Sequence, residues 1–345
     1  MLSLCMIIKN EESCLDNCLK NIHSYVDEII IVDTGSVDNS KEIASKYKDK
    51  IYDFKWCNDF SDARNFSISK ASNDWILVLD ADEFLINFSP DILNSLSDKV
   101  IGRIRRINIY EDNFGTKKYI EKVNRIFNKN YFKYDGIIHE QLVPISDTKY
   151  DTITLDINIE HIGYSKEIVD KTNKIERNIK LLNISQKKNS TDPYIYYQLG
   201  KSYFVKKDFR KALNSFEYSI KLLNNFYYEY AEDLIETYGY TLINLQLFSS
   251  ALDLYKYEKY YNNSPDFLFL MGLVEMNNSN FTKAVNNFLK CTTYHSGKFE
   301  GITTFLPFYN IGVIYECLNF KTEALRYYSL CSNYAPALKR VSLLS

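Results

Sequence analysis

Two aspartates one residue apart, Asp80 and Asp82, close an apolar run, Trp75-Ile76-Leu77-Val78-Leu79. A run of that length predicts a strand buried on both faces. Open α/β sheets place their ligands at the carboxyl ends of such strands. Two carboxylates there are costly to leave unpaired. A divalent cation shared with a diphosphate neutralises them, because Mg2+ and Mn2+ favour carboxylate and phosphate oxygens. The plainer reading is a surface turn whose acids cap a helix. Three other clusters are expected at the same sheet edge: Lys9-Asn10-Glu11-Glu12, Asp33-Thr34-Gly35-Ser36 and Asp62-Ala63-Arg64-Asn65. In a parallel sheet they converge on one crevice with Asp80-Ala81-Asp82. Asp33 is placed to accept hydrogen bonds from a nucleoside, or else to form the turn before Gly35. Arg64 can offer a planar fork to a diphosphate or a base, or else a surface salt bridge. The sequence has neither Gly-x-Gly-x-x-Gly nor a Walker A loop, so a diphosphate would be held through the metal.

The elements that must position these groups follow from the apolar pattern. Strand-like runs at 2–8, 28–32, 50–54 and 75–79 alternate with helical segments at 11–23, 38–47 and 62–71. That order implies a parallel sheet with helices on both faces. Residues 99–165 are rich in β-branched and aromatic types and read as mixed strands and loops completing the sheet. From Asp192 the pattern changes to helix pairs. Gly200, Gly239, Gly272 and Gly312 are each followed 12 residues on by Ala212, Ala251, Ala284 and Ala324, and four residues later by Phe216, Tyr255, Phe288 and Tyr328. Small residues at those spacings let two antiparallel helices approach, and the aromatic fills the groove. Tyr203, Tyr238 and Tyr315 are expected at packing positions too, whereas Tyr196, Gln198, Asn244 and Asn310 are expected to line a concave face. The expected organisation is an α/β domain over 1–165, a charged linking helix over 166–190, and about four helix-pair repeats over 191–345.

Composition narrows the function. The chain has 42 basic and 44 acidic residues, net −2, with no basic block to support nucleic-acid binding. Its seven cysteines form no Cys-x-x-Cys pair, which argues against a structural zinc site and fits a reducing cytoplasm. The front, Met1-Leu2-Ser3-Leu4-Cys5-Met6-Ile7-Ile8-Lys9, reads as a first strand rather than a signal peptide. No stretch approaches the ~20 apolar residues of a membrane span. A soluble, cytoplasmic protein is expected.

Four motifs carry a family resemblance: Ser3-Leu4-Cys5-Met6-Ile7-Ile8-Lys9-Asn10-Glu11-Glu12, Ile31-Val32-Asp33-Thr34-Gly35-Ser36-Val37-Asp38, Asp59-Phe60-Ser61-Asp62-Ala63-Arg64-Asn65 and Leu79-Asp80-Ala81-Asp82-Glu83. In this order they resemble the family 2 glycosyltransferases of GT-A fold, over roughly the first 165 residues. Leu199-Gly200-Lys201-Ser202-Tyr203 resembles the tetratricopeptide signature. The combination looks like the bacterial branch that includes the glycosyltransferases of glycocin peptides.

The resemblance implies inverting transfer of a hexosyl or N-acetylhexosaminyl group from a UDP-sugar, with Mn2+ or Mg2+. Asp33 would contact the uridine, Asp80 would lie near the ribose and metal, and Asp82 would ligate the metal. Lys9, Asn10, Glu11, Arg64 and Ala81 would share the nucleotide-sugar site. Downstream, Arg125-Ile126-Phe127 and Gly136-Ile137-Ile138-His139-Glu140 resemble the region before this branch's acceptor site. Glu140 is the expected general base, unless it pairs with Arg125 or Lys122, and His139 a further candidate for touching acceptor or diphosphate. His161, in Glu160-His161-Ile162-Gly163-Tyr164, resembles the late histidine that completes the metal shell in many GT-A enzymes; a buried, backbone-bonded histidine is the alternative. The repeats would hold a peptide or protein acceptor or mediate a homodimer. A cell-envelope saccharide acceptor and a non-catalytic scaffold are the competing readings. The donor sugar is not readable from these motifs.

Overall fold

A computed structural model describes residues 1–47, 50–89, 93, 96–112, 115–164 and 174–345. The chain divides into two compact units, Met1–Glu111 with Lys118–Lys174, and Asp112–Lys117 with Ile175–Ser345.

The first unit is built on strands β1 (Leu2–Ile8), β2 (Glu28–Asp33), β3 (Lys50–Asp53), β4 (Trp75–Val78), β5 (Glu83–Asn87), β6 (Val100–Asp112), β7 (Gly115–Asn128) and β10 (Asp151–Tyr164). They form one eight-stranded sheet in the order β3-β2-β1-β4-β7-β6-β10-β5. The strands β8 (Phe132–Asp135) and β9 (Gln141–Pro144) pair separately and antiparallel. β1 to β4 are mutually parallel, as the alternating order requires; β7 then runs antiparallel to β4, and β5 antiparallel to β10.

The alternation of side chains along β1 explains how both faces are covered. Leu2, Leu4, Met6 and Ile8 pack with Leu15, Leu19 and Ile22 of helix α1 (Leu15–Ile22), whereas Cys5 packs on the other face with Ile30, Val32, Ile76 and Val78 and with Ile68 of helix α3 (Phe60–Lys70). Helix α2 (Ser40–Ser45) lies between β2 and β3 in the chain. Helix α3 starts at Asp59, whose carboxylate accepts the Asp62 amide at 3.1 Å, an N-cap that satisfies an otherwise orphaned donor.

The second unit is helical. Its pairs are Pro193–Val205 with Phe209–Leu222, Glu229–Asn244 with the segment 248–261, Pro265–Asn277 with Phe281–Cys291, and Phe305–Cys317 with Lys321–Ser329; Lys174–Lys188 precedes them and Ala335–Leu344 follows. The start of the expected linking helix, 166–173, lies outside the described residues. Asp192 and Ser264 cap two of the helices, each followed by a proline at the first turn, where the missing N–H costs nothing.

Three of the four glycine–aromatic pairs meet as expected. A Cβ on Gly200, Gly272 or Gly312 would fall 2.3, 2.5 or 2.6 Å from the ring of Phe216, Phe288 or Tyr328. Gly239 departs from the pattern: its neighbours are Leu270 and Leu254, not Tyr255. The reason is helical winding. The segment after Ala251 is a 3-10 helix, Leu252–Tyr257, in which positions three apart share a face. Leu254 and Tyr257 therefore turn inward, and Tyr255 is only half-buried, its hydroxyl donating to Glu275 Oε1 at 2.6 Å. Tyr203, Tyr238 and Tyr315 are half-buried, and Tyr196, expected on a concave face, is buried with its hydroxyl on the Ser190 carbonyl.

Gly272→Ala tests the close approach. The new methyl collides with a fully buried Phe288 ring, and overpacking of this kind costs about 1–3 kcal/mol. A urea midpoint lowered accordingly, at unchanged slope, is the expected result.

Candidate active site

The carboxyl ends of β1, β2 and β4 carry the expected residues to one edge. The loop after β1 is stitched to the loop after β2. Asn10 N donates to Ser36 Oγ at 2.9 Å and its Oδ1 accepts the Val37 amide at 2.9 Å, while Glu11 N donates to Ser40 Oγ at 2.7 Å. Asn10 holds a left-handed backbone, φ 59°, which asparagine tolerates. Its side chain thus braces the neighbouring loop. Lys9 is exposed at the end of β1. Asp33 is buried and forms the turn itself, accepting the Gly35 and Ser36 amides at 2.6 and 2.8 Å. Of its two sequence readings, the turn is the one the structure displays. Ala81 is 3% exposed and packs into the core. Its methyl group is therefore buried, which leaves its backbone as the part that could meet a nucleotide.

Beyond Asp80 lies a buried lattice of opposite charges. Glu83, the first residue of β5, is fully buried and accepts from Arg125 Nη2 at 2.5 Å and Arg106 Nη1 at 3.0 Å. Its other oxygen accepts the Asp80 amide at 3.0 Å. Both Asp80 oxygens meet guanidinium groups, Arg64 at 2.7 Å and Arg125 at 3.0 Å. Burial opposes ionisation of Asp80, but Arg64 and Arg125 outweigh it and hold the carboxyl well below the ordinary range. Arg64 also reaches Glu140, Nε to Oε1 at 2.5 Å. Arg64 is expected at the donor, yet it is 6% exposed and spends its fork inward on two carboxylates. The partner of Glu140 is thus Arg64, neither Arg125 nor Lys122.

Glu140 comes to the crevice on a loop bolted to α3. Phe60 N donates to the Ile137 carbonyl at 2.9 Å. Asn65 exchanges hydrogen bonds of 2.8 and 2.9 Å with the Tyr134 backbone. Gly136 and His139 take positive φ, 104° and 53°, to turn the chain. His139 is half-buried, and its carbonyl accepts from Gln141 Nε2 at 2.9 Å.

His161 lands beside Asp82, with Nε2 3.2 Å from Oδ2. Strand register puts it there: β10 pairs His161 with Glu83 on β5 and with Asn108 on β6, so the three form one row across the sheet. Asn108 sends its amide nitrogen to Glu121 Oε1 at 2.6 Å and its Oδ1 to His161 Nδ1 at 2.7 Å. An amide oxygen only accepts, so Nδ1 donates, and the lone pair of a neutral ring sits on Nε2, facing a carboxylate. Two acceptors at that distance are reconciled by a proton or by a metal ion. Burial works against ionisation of Asp82, but the hydrogen bond and charge of His161 outweigh it and hold the carboxyl below its ordinary value.

The donor set at Asp82 and His161 suits a hard or borderline divalent cation. Among the described residues no group of three or more His, Cys, Asp and Glu side chains is placed to hold a metal alone. A diphosphate would have to complete the shell. The charge balance points the same way: Asp80, Glu83, Glu121 and Glu140 meet Arg64, Arg106 and Arg125, four carboxylates to three guanidinium groups, and Asp82 pairs with His161 alone among the ion pairs of the described residues.

Residues 3–143 match the family model described as Glycosyl transferase family 2, so the α/β unit carries a family 2 glycosyltransferase domain. A TPR repeat-containing protein of Synechococcus elongatus is 31% identical over 206 residues, 57% of this chain and 51% of that protein. The SPbeta prophage-derived glycosyltransferase SunS of Bacillus subtilis is 24% identical over 233 residues, 64% of this chain and 53% of that protein. The lipopolysaccharide core biosynthesis glycosyltransferase LpsC of Rhizobium meliloti is 28% identical over 155 residues, 41% of this chain and 57% of that protein. The chain spans about half the length of these relatives. The architecture is thus a GT-A-type α/β domain followed by tetratricopeptide-type helix pairs.

Glu11 offers a pH test. Burial first, and then the negative charge of Asp82, push its carboxyl up to about 7. The folded state then binds more protons than the unfolded state, so stability is full below the ordinary glutamate range and falls as pH rises toward 7. In EDTA, Glu11→Gln should match the parent near pH 4 and exceed its stability at pH 8. Parallel stability curves across that range would show that Glu11 carries no such shift.

Proposed function

We propose that the chain is an inverting glycosyltransferase that moves a sugar from a UDP-sugar to a peptide or protein acceptor, at a Ser or Thr hydroxyl or a Cys thiol. The observation that carries this reading is that, in the part of the chain that matches the family 2 model, Arg64 ties a separate carboxylate, Glu140, to Asp80, two residues from the Asp82–His161 pair. Asp82 and His161 would hold Mn2+ or Mg2+ together with the donor diphosphate. The cation, when bound, neutralises charge that develops on the leaving diphosphate.

Glu140 takes the proton of the acceptor O–H or S–H. The freed oxygen or sulfur forms its bond to the anomeric carbon on the face opposite the nucleotide. The bond from that carbon to the diphosphate breaks, and its electron pair leaves with UDP. Inversion follows from attack opposite the leaving group. Arg64 and Arg125 keep Asp80 ionised while this happens. In this reading the helix pairs form the acceptor-binding module, since stacked pairs suit extended peptides. A saccharide acceptor of the cell envelope is the second reading, favoured by the likeness to LpsC. In the described residues no helix is long and apolar enough to cross a membrane.

Purified protein incubated with a panel of UDP- and GDP-sugars, peptides and envelope saccharides decides between these acceptors. Transfer should require Mn2+ or Mg2+, and Asp82→Ala should lower turnover ~100-fold or more, the scale of removing a stabiliser of transition-state charge. Full activity in excess EDTA would remove the metal from this reading.

Glu140→Gln keeps size and hydrogen bonding but not basicity, so turnover should collapse at near-unchanged UDP affinity. The loss should be smaller for a thiol, whose ordinary pKa of about 8.5 needs less help. Deleting residues 191–345 should abolish transfer and leave slow donor hydrolysis. If the repeats instead join two copies, the full chain runs as a dimer in solution and the truncated protein as a monomer.

A further inference from the structure

Helix α3 holds the loop of residues 136–140 and the strand before it at successive points along its length. Phe60 takes the Ile137 carbonyl, Arg64 takes Glu140, and Asn65 takes the Tyr134 backbone. The middle contact is the unusual one. Arg64 is buried, and it divides its fork between two carboxylates that belong to different parts of the chain, Nε on Glu140 Oε1 and Nη2 on Asp80 Oδ1. Its remaining nitrogen, Nη1, is buried without a hydrogen-bond partner among the described residues, and so is the hydroxyl of Tyr134. The Tyr134 ring lies beside the guanidinium, 5.6 Å from its carbon to the ring centre.

A buried guanidinium with an unspent donor is a poor device for stability, because desolvation offsets much of the Coulombic gain. It is a good device for geometry. The fork is planar and rigid, and its two engaged nitrogens fix the separation of whatever they hold. A lysine in the same place could reach one carboxylate and would leave the other to move.

We propose that Arg64 is the positioning residue of the acceptor-side carboxylate. It ties Glu140 to Asp80, and so sets the group that receives the acceptor's proton at a fixed distance from the strand end that holds the donor. The proposal rests on the reading of Glu140 as general base. It makes Arg64 act through Glu140 and not through contact with the sugar nucleotide. Tyr134 closes the pocket around the guanidinium and keeps the fork from swinging to solvent.

A double-mutant cycle on transfer kinetics tests this with the full-length protein and whichever UDP-sugar and acceptor the panel identifies. Arg64→Gln alone should lower kcat by ~10–100-fold, the scale of misplacing a reacting group by about an ångström. Donor and acceptor KM should stay within about threefold. In the Glu140→Gln background the same change should cost less than about threefold, because groups that act as a unit are not additive. Millimolar guanidinium chloride should restore part of kcat to Arg64→Ala but not to Arg64→Ala/Glu140→Gln. If Arg64→Gln does not fold, as judged by circular dichroism, Arg64→Lys enters the same cycle with the same expectation.

Additive losses, or a donor KM that rises while kcat holds, would overturn the positioning role and assign Arg64 to the donor. Wild-type turnover in Glu140→Gln is a separate result: it would remove the base reading itself, and the positioning role with it.

Discussion

The half-buried Asp80 carboxylate is held ionised by guanidinium groups that meet both its oxygens. Much of the first unit's polar architecture can be followed outward from that pairing. Arg64 and Arg125 come from α3 and from β7, the strand beside β4. Once there, each needs further acceptors. Arg125 finds Glu83, which draws in Arg106, and Arg106 in turn meets Glu121. Glu121 orients the Asn108 amide, and Asn108 orients His161 toward Asp82. The chain of charges thus begins at one aspartate of the pair and returns to the other. Pairing of this kind costs desolvation at every step, so its persistence in a buried row is better explained by the geometry it imposes than by stability.

The two aspartates of one short motif are used differently. Both Asp80 oxygens meet cations of the protein itself, and its carboxyl is held far down in its range. Asp82 faces an imidazole across a gap that a proton or metal would bridge. One carboxylate is paired with guanidinium groups and the other with an imidazole.

The second unit follows a different rule. Its packing is set by repeated small and aromatic positions, and each helix pair is closed by its neighbours. The rule bends where the winding changes. In the second pair the 3-10 segment moves the inward position from Tyr255 to Leu254, and the tyrosine is released to bond Glu275. A change of a fraction of a residue per turn therefore decided which side chain fills the groove.

The strand ending in Asp80 and Asp82, the parallel order of β1 to β4, the turn at Asp33 and the glycine–aromatic spacing all followed from local pattern, because period, apolar run length and turn chemistry act over a few residues. The family motifs lay in the same short stretches. What sequence could not place were the partners. Arg64 and Glu140 stand 76 positions apart, and Asp82 and His161 stand 79 apart. Glu83 was visible as part of a motif, but nothing local marked it as the centre of a buried lattice, nor Asn108 as the residue that orients His161. Those assignments depend on the register of β10 against β5 and β6 and on where α3 meets the loop before β9. Register is a property of paired strands and not of either strand alone, so tertiary structure decided which charges meet and which are buried.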